Sequence, residues 1–132
     1  MASVFTYARE GITITNPEGK IVDVNQAFCE ITGYQREEVI GKNPSLLKSE
    51  HQSPEFYTAM WAELIAVGHW HGEIWNRKKN GELYAELLTI SAVRNEAGKT
   101  RHYVGIFADI TMQKEHERRL EKLAHFDPLT EL

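Results

Sequence analysis

Only one cysteine, Cys29, occurs in the 132 residues, so no disulfide can close within the chain. Its fold must rest on core packing and hydrogen bonds, which suits a reducing compartment. No apolar run approaches the ~20 residues a membrane-spanning helix needs. The N-terminus has no signal-peptide pattern, so this segment is expected to be cytoplasmic and to make no membrane contact. Charge of one sign is not in excess. The net charge of -4 gives no electrostatic reason to bind a nucleic-acid backbone, and no nucleic acid is expected as a partner. Internal repeats and low-complexity tracts are absent. No serine–histidine–acid or cysteine–histidine arrangement can be assembled, so no catalytic residue is assigned and the chain is not expected to be an enzyme. His69 and His71 alternate along one strand with no third ligand in view, and they read as a solvated pair, not a metal site.

What is present is the composition of a globular domain. Apolar residues make up 42% and charged residues 26%, which argues against disorder and for one domain with a core of its own. Residues Ala2–Arg9 can form a short flanking helix with Val4, Phe5 and Ala8 on one face. Two β-rich runs, Gly11–Thr15 and Lys20–Val24, flank the turn Asn16-Pro17-Glu18-Gly19 and read as a hairpin. Asn25 is a good N-cap for a helix that Gly33 ends, and a second short helix over Arg36–Ile40 stops at Gly41. Lys42–Ser53 reads as irregular. Ser53 then caps a helix with Pro54 at its first position, carrying Phe56, Met60, Leu64 and Val67 as its apolar stripe up to Gly68.

The period then changes from helix to strand. Trp70–Arg77, Leu83–Arg94 and Thr100–Asp109 read as strands, joined by the turns Lys79-Asn80-Gly81 and Asn95-Glu96-Ala97-Gly98. From Thr111 to His125 the chain is charged, free of glycine and helical in pattern. Hairpins at both ends with helices between them predict an α+β fold: an antiparallel five-stranded sheet with small helices over one face and an exit helix.

Several of these pieces, in this order, resemble a PAS domain over residues 10–111. They are Gly11–Thr15 with Ile21–Asn25, Asn25-Gln26-Ala27-Phe28 with Thr32-Gly33-Tyr34, Glu38–Gly41, Arg77–Glu82, and the closing tripeptide Asp109-Ile110-Thr111. Residues 1–9 are then a flanking helix and 112–125 a signalling helix. The final stretch from His125 through Phe126-Asp127-Pro128-Leu129-Thr130-Glu131-Leu132 resembles the opening of a GGDEF domain, which makes cyclic di-GMP. Glu131 stands where such domains usually have glycine, and the chain stops before any catalytic signature. The resemblance implies a sensor that controls a downstream diguanylate cyclase in cis. A ligand-free dimerisation or protein-interaction module is the alternative.

PAS domains hold ligands between the concave face of the sheet and the helices. Strand alternation assigns that face to Trp70, Gly72, Ile74 and Asn76 on one strand and to Glu86, Leu88 and Ile90 on the next. Tyr103, Gly105 and Phe107 follow if the last strand is similar to that of flavin-binding members. The resemblance disfavours a LOV-type FMN. Pro44 stands at the position of the reactive cysteine, Phe107 at that of a glutamine and Glu86 at that of an asparagine, while Cys29 belongs to another helix. Haem is disfavoured because the helix Pro54–Val67 carries no axial histidine, His51 and His69 lying just outside it. FAD without a reactive cysteine stays open: Trp70 can pack on the ring and the Asn76 amide can meet its edge. An ionised Glu86 beside an electron-rich ring argues against it. Plain core packing of Trp70 and Asn76 is the competing reading, and the ligand is left unknown.

Asp109 and Thr111 are expected to govern the passage from the last strand to the exit helix, with Thr111 as its N-cap. The outer sheet face carries Trp75, Leu87, Val104 and Ile106, apolar area that a homodimer would cover together with the N-terminal helix. Leu120 and Leu123 fall at a and d positions one heptad after Gln113 and His116, a short and half-polar seam suited to a switch.

Overall fold

The computed structural model describes residues 9–125. The expected flanking helix, apart from Arg9 in a bend, and residues 126–132 lie outside the described residues. The elements run β1 (Gly11–Thr15), β2 (Ile21–Val24), α1 (Gln26–Thr32), α2 (Arg36–Val39), a 3-10 turn (Pro44–Leu47), α3 (Pro54–Val67), β3 (His69–Arg77), β4 (Leu83–Arg94), β5 (Thr100–Asp109) and α4 (Thr111–His125). The five strands form one sheet in the order β2-β1-β5-β4-β3, every neighbouring pair antiparallel. The α+β architecture expected from the sequence is therefore the observed one.

Asn25 joins the first hairpin to the first helix. Its Oδ1 accepts from Phe28 N at 3.0 Å, capping α1, and from Ile12 N at 2.8 Å on β1, while its Nδ2 donates to Glu10 O at 3.0 Å. One buried amide thus satisfies three backbone groups that would otherwise be orphaned at a strand edge and a helix start. Helix α3 has the caps the sequence predicts. Ser53 Oγ accepts from Phe56 N, and Gly68, at φ 84°, takes the left-handed conformation that lets its N–H close on Leu64 O.

The core lies between the concave sheet face and α1, α2 and the 3-10 turn. Ile21, Val24, Phe28, Val39, Leu47, Tyr84 and Phe107 form it, with Phe28 and Phe107 meeting edge to face at 6.0 Å. Met60 and Leu64 of α3 are buried, whereas Val67, expected on the same stripe, is 55% exposed. It is the last residue of the helix, next to the Gly68 cap.

The segment Lys48–Ser53 is ordered against the edge strand. Lys48 forms an isolated bridge with Asn76. Ser49 Oγ donates to Trp75 O at 2.6 Å, Gln52 Nε2 donates to the same carbonyl at 2.9 Å, and Gln52 Oε1 accepts from Trp75 N. These contacts satisfy open backbone groups of β3, the way native sheets blunt an edge. They also fix the position of the loop that walls the space above the sheet.

Candidate functional site

A cavity of about 230 Å³ lies between the concave sheet face, the 3-10 turn and α3. Ile74 and Asn76 reach it from β3, Glu86, Leu88 and Ile90 from β4, and Tyr103, Gly105 and Phe107 from β5. The β4 residues that alternation put on the inner face, and the β5 residues that the resemblance put there, line this cavity. Of the six residues proposed to bind a cofactor, Ile74, Asn76, Glu86, Leu88 and Phe107 are brought together on this wall. Trp70 is not among the lining residues. Its indole is met edge-on by Phe56 of α3 at 5.7 Å and lies over Gly72, where a Cβ would come within 2.9 Å of the ring. The glycine leaves room for the indole on its own strand, and the helix engages it there, so Trp70 is packing at the start of β3.

The strand wall carries one connected polar group, while Thr13, Thr15, Asn43, Ser45 and Lys48 add polar side chains elsewhere around the lining. Asn76 Nδ2 donates to Glu86 Oε1 at 3.1 Å, and the Tyr84 hydroxyl donates to the same oxygen at 2.8 Å. Glu86 is only 2% exposed, and burial pushes its carboxyl up to about 7. The hydrogen bonds from Tyr84 and Asn76 pull it back down, and the Asp109 charge adds to the rise. Burial and the adjacent Glu86 also raise the Tyr84 phenol well above its ordinary value, so it stays a donor. Burial thus favours the neutral carboxyl and weakens the objection that a fixed negative charge faces the cavity. Lys48 also lines the cavity, its ammonium 4.4 Å from the centre of the Tyr57 ring.

Behind this wall stands the start of the exit helix. Ala85 lies between Tyr84 and Glu86 and points the opposite way. Its carbonyl accepts from Ile110 N and its N–H donates to Thr111 Oγ1, both at 2.9 Å. The Thr111 hydroxyl in turn donates to Asp109 Oδ1, which also accepts from Thr111 N at 3.0 Å. Thr111 is thus the first residue of α4, and its hydroxyl serves a neighbouring strand in place of the N-cap role expected of it. Lys114, unremarked in the sequence, pairs with Glu73 of β3 at 3.0 Å and with Glu117 at 3.2 Å. Leu120 and Leu123 are 51% and 69% exposed further along α4. Ser49, Gln52 and Lys114 carried no local signal, because their partners are 23 residues or more away or set by the sheet.

Cys29 is half-buried on α1, outside the cavity lining, with its thiol raised by burial and by Glu37. No three histidine, cysteine, aspartate or glutamate side chains converge among the described residues. No helix among them is long and apolar enough to cross a membrane.

A sheet with a ligand-sized cavity under its helices and a helix leaving from the opposite side defines a sensory α+β module. The family model for the PAS domain matches residues 9–112, and the chain belongs to that family. It is 34% identical over 113 residues to the nitrogen fixation regulatory protein of Klebsiella oxytoca, which covers 86% of this chain and 23% of the relative. It is 35% identical over 112 residues to the blue-light-activated histidine kinase of Brucella ovis, covering 83% of this chain and 23% of the relative. The chain thus spans under a quarter of the length of these curated relatives. Among solved structures, an RNA-binding light-oxygen-voltage receptor superposes with a TM-score of 0.81 at 31% identity, covering 92% of this chain and 34% of that one.

The expectation that a LOV-type FMN is disfavoured is corrected by these relatives, which include a blue-light-activated kinase and a light-oxygen-voltage receptor at more than 30% identity. The reason lies in what that expectation rested on. Pro44, Phe107 and Glu86 bear on adduct formation and on individual hydrogen bonds. They do not set the space between the sheet, the 3-10 turn and α3, where this chain has a cavity of about 230 Å³.

Proposed function

We propose that this PAS domain is a regulatory input module whose cavity takes a flavin and whose exit helix reports the cavity's state to an output domain in cis. One observation carries the reading: on the inner strand faces of a mostly apolar lining, Asn76 and Glu86 form a hydrogen-bonded polar pair, backed by the Tyr84 hydroxyl. Ligand sites have this make-up, mostly apolar with a few convergent polar groups, in volumes of ~300–1,000 Å³. At about 230 Å³ the cavity lies below that range, so the reading puts only the ring system inside it and leads the ligand's tail out. Ile74, Leu88 and Phe107 would hold the ring faces, and Asn76 and Glu86 its polar edge. A bound flavin supplies redox and light-absorbing chemistry.

The output domain is read as a GGDEF diguanylate cyclase from residues 125–132. Two such domains must meet to join two GTP molecules, so a homodimer with movable exit helices is a natural control point. Asp109 and Thr111 would couple the sheet to α4, and Leu120 and Leu123 would pair the helices. The outer sheet face, with Leu87 and Ile106 each 37% exposed, would add to the interface.

An absorption spectrum of freshly purified protein tests the ligand. The two-banded near-ultraviolet and blue absorption of an oxidised flavin is the expected result. A colourless protein that also fails to take up added FMN would overturn the flavin reading and favour a dimerisation module.

A further inference from the structure

Glu86 has two oxygens, and both neighbouring donors fall on one of them. Asn76 Nδ2 and the Tyr84 hydroxyl each donate to Oε1. No side-chain hydrogen bond to Oε2 forms among the described residues, although the carboxyl lines the cavity and every fully buried polar side-chain atom has a partner. Oε2 is therefore the oxygen left open to an occupant. Asn76 likewise spends one amide hydrogen on Glu86 and keeps its Oδ1. With Oε1 accepting two hydrogen bonds, a proton on the carboxyl belongs on Oε2, where it points at the occupant.

Resting on the reading of the cavity as a flavin-class site, we propose that Glu86 is its proton-bearing recognition group: the neutral carboxyl donates from Oε2 to a carbonyl or ring-nitrogen acceptor of the bound heterocycle, and ionisation releases it. Asn76 Oδ1 beside it accepts from a ring N–H, so the pair matches a lactam or imide edge, where C=O and N–H are neighbours. Ionisation would turn the Oε2 donor into a second acceptor and set a negative charge against the ligand's own carbonyl in a low-dielectric wall. Occupancy then depends on pH.

The other titratable groups around the carboxyl do not reverse this. Tyr84 beside it on β4 stays protonated, and Asp109, its register partner on β5, opposes ionisation. Lys48, Tyr57 and Tyr103 share the lining, and the Lys48 ammonium is taken up over the Tyr57 ring. Burial leaves Glu86 to change state at about 7.

The test is a titration of ligand-free protein with FMN, followed by quenching of flavin fluorescence from pH 5.5 to pH 8.5. It is run on the wild type and on Glu86→Gln, which keeps the Oε1 acceptor and places a permanent N–H donor where Oε2 was. Wild-type affinity is expected to fall by about tenfold per pH unit once Glu86 ionises, and that of Glu86→Gln to stay flat. If FMN binds and the two proteins share one pH profile, the role of Glu86 is overturned while the flavin reading stands. If FMN binds neither protein at any pH, the flavin reading fails. The proposal for Glu86 is then decided by carbon-13 NMR of glutamate-labelled protein. A carboxyl titrating near neutrality, absent from Glu86→Gln, supports a proton-bearing cavity group for another heterocycle. Titration at the ordinary glutamate value overturns it.

Discussion

Glu86 makes the stability of this domain depend on pH in a direction opposite to that of most carboxylates. An ion-paired carboxylate stabilises a fold as it ionises, whereas here burial opposes ionisation and holds the carboxyl at about 7 against an ordinary 4.5. Between those two values the folded protein retains a proton that the unfolded chain has released. Stability therefore falls as pH rises through that window, by about 3 kcal/mol in total, and levels off above it. Glu86→Gln keeps the acceptor for Tyr84 and Asn76 and has nothing to ionise. Urea unfolding midpoints measured from pH 5 to pH 8 should decline in the wild type and hold level in the variant. The variant should be the more stable of the two at pH 8, and equal slopes would remove Glu86 as the source. Tyr84 and Asn76 moderate the effect, since both hydrogen bonds favour the ionised form. A leucine here would pack without this dependence, so the buried acid suits recognition better than it suits stability.

At the level of elements, the inner face of β4 is back to back with the root of α4. Glu86 lines the cavity and Tyr84 is packed in the core, while Ala85 between them holds Ile110 and Thr111 through two hydrogen bonds. In the proposed coupling, a shift of β4 at the cavity would move the residue that anchors the exit helix. Thr111→Val keeps the shape and removes the hydroxyl, leaving the Ala85 N–H buried and unpaired, which costs about 1–3 kcal/mol. Amide exchange at Ala85 and Ile110 should quicken more than at Leu88, and unchanged protection at Ala85 would mean the hydroxyl is not the anchor. The Lys114–Glu73 pair is half-exposed and contributes little to stability by itself, though it sets where the helix lies. The sequence made the elements legible because their signals are local: Asn25, Ser53 and Gly68 at helix ends, and β-rich runs bounded by turns for β4 and β5. It made the part of the cavity wall formed by β3, β4 and β5 legible, and left the part formed by β1, the 3-10 turn and α3 unread. Trp70 packs against Phe56 outside the cavity lining, which alternation could not show because it gives a side chain's face and not its partner on another element. The roles of Thr111, Gln52 and Lys114 were hidden because each completes a backbone group or a charge distant in sequence, and no window of neighbouring residues contains both halves.

For the whole molecule, the distribution of apolar surface matters more than any single contact. The inner sheet face is closed by its own helices, while Leu87 and Ile106 on the outer face and Leu120 and Leu123 on α4 remain 37–69% exposed. These residues lie on the side from which the chain leads to whatever follows, in relatives more than four times as long as the part matched here. A two-fold pair of chains would cover them together, with the exit helices side by side. The seam Gln113, His116, Leu120, Leu123 has only two apolar positions, too few to hold a coiled coil unaided. The helices would therefore follow the sheets rather than fix them, as a movable signal path requires. Replacing Leu120 and Leu123 by Lys sets four ammonium groups along the seam of a dimer and removes four leucines from it. Each buried leucine contributes about 1.5–3 kcal/mol when fully covered, and even one such loss weakens association by at least about tenfold. Sedimentation velocity across a concentration series should show the wild type associating and the double variant shifted toward monomer, with the far-ultraviolet spectrum unchanged. If mass stays the same in both proteins at every concentration, the helices do not pair and α4 acts as a single rigid arm. Coupling from Glu86 through Ala85 to that arm would then have to act within one chain.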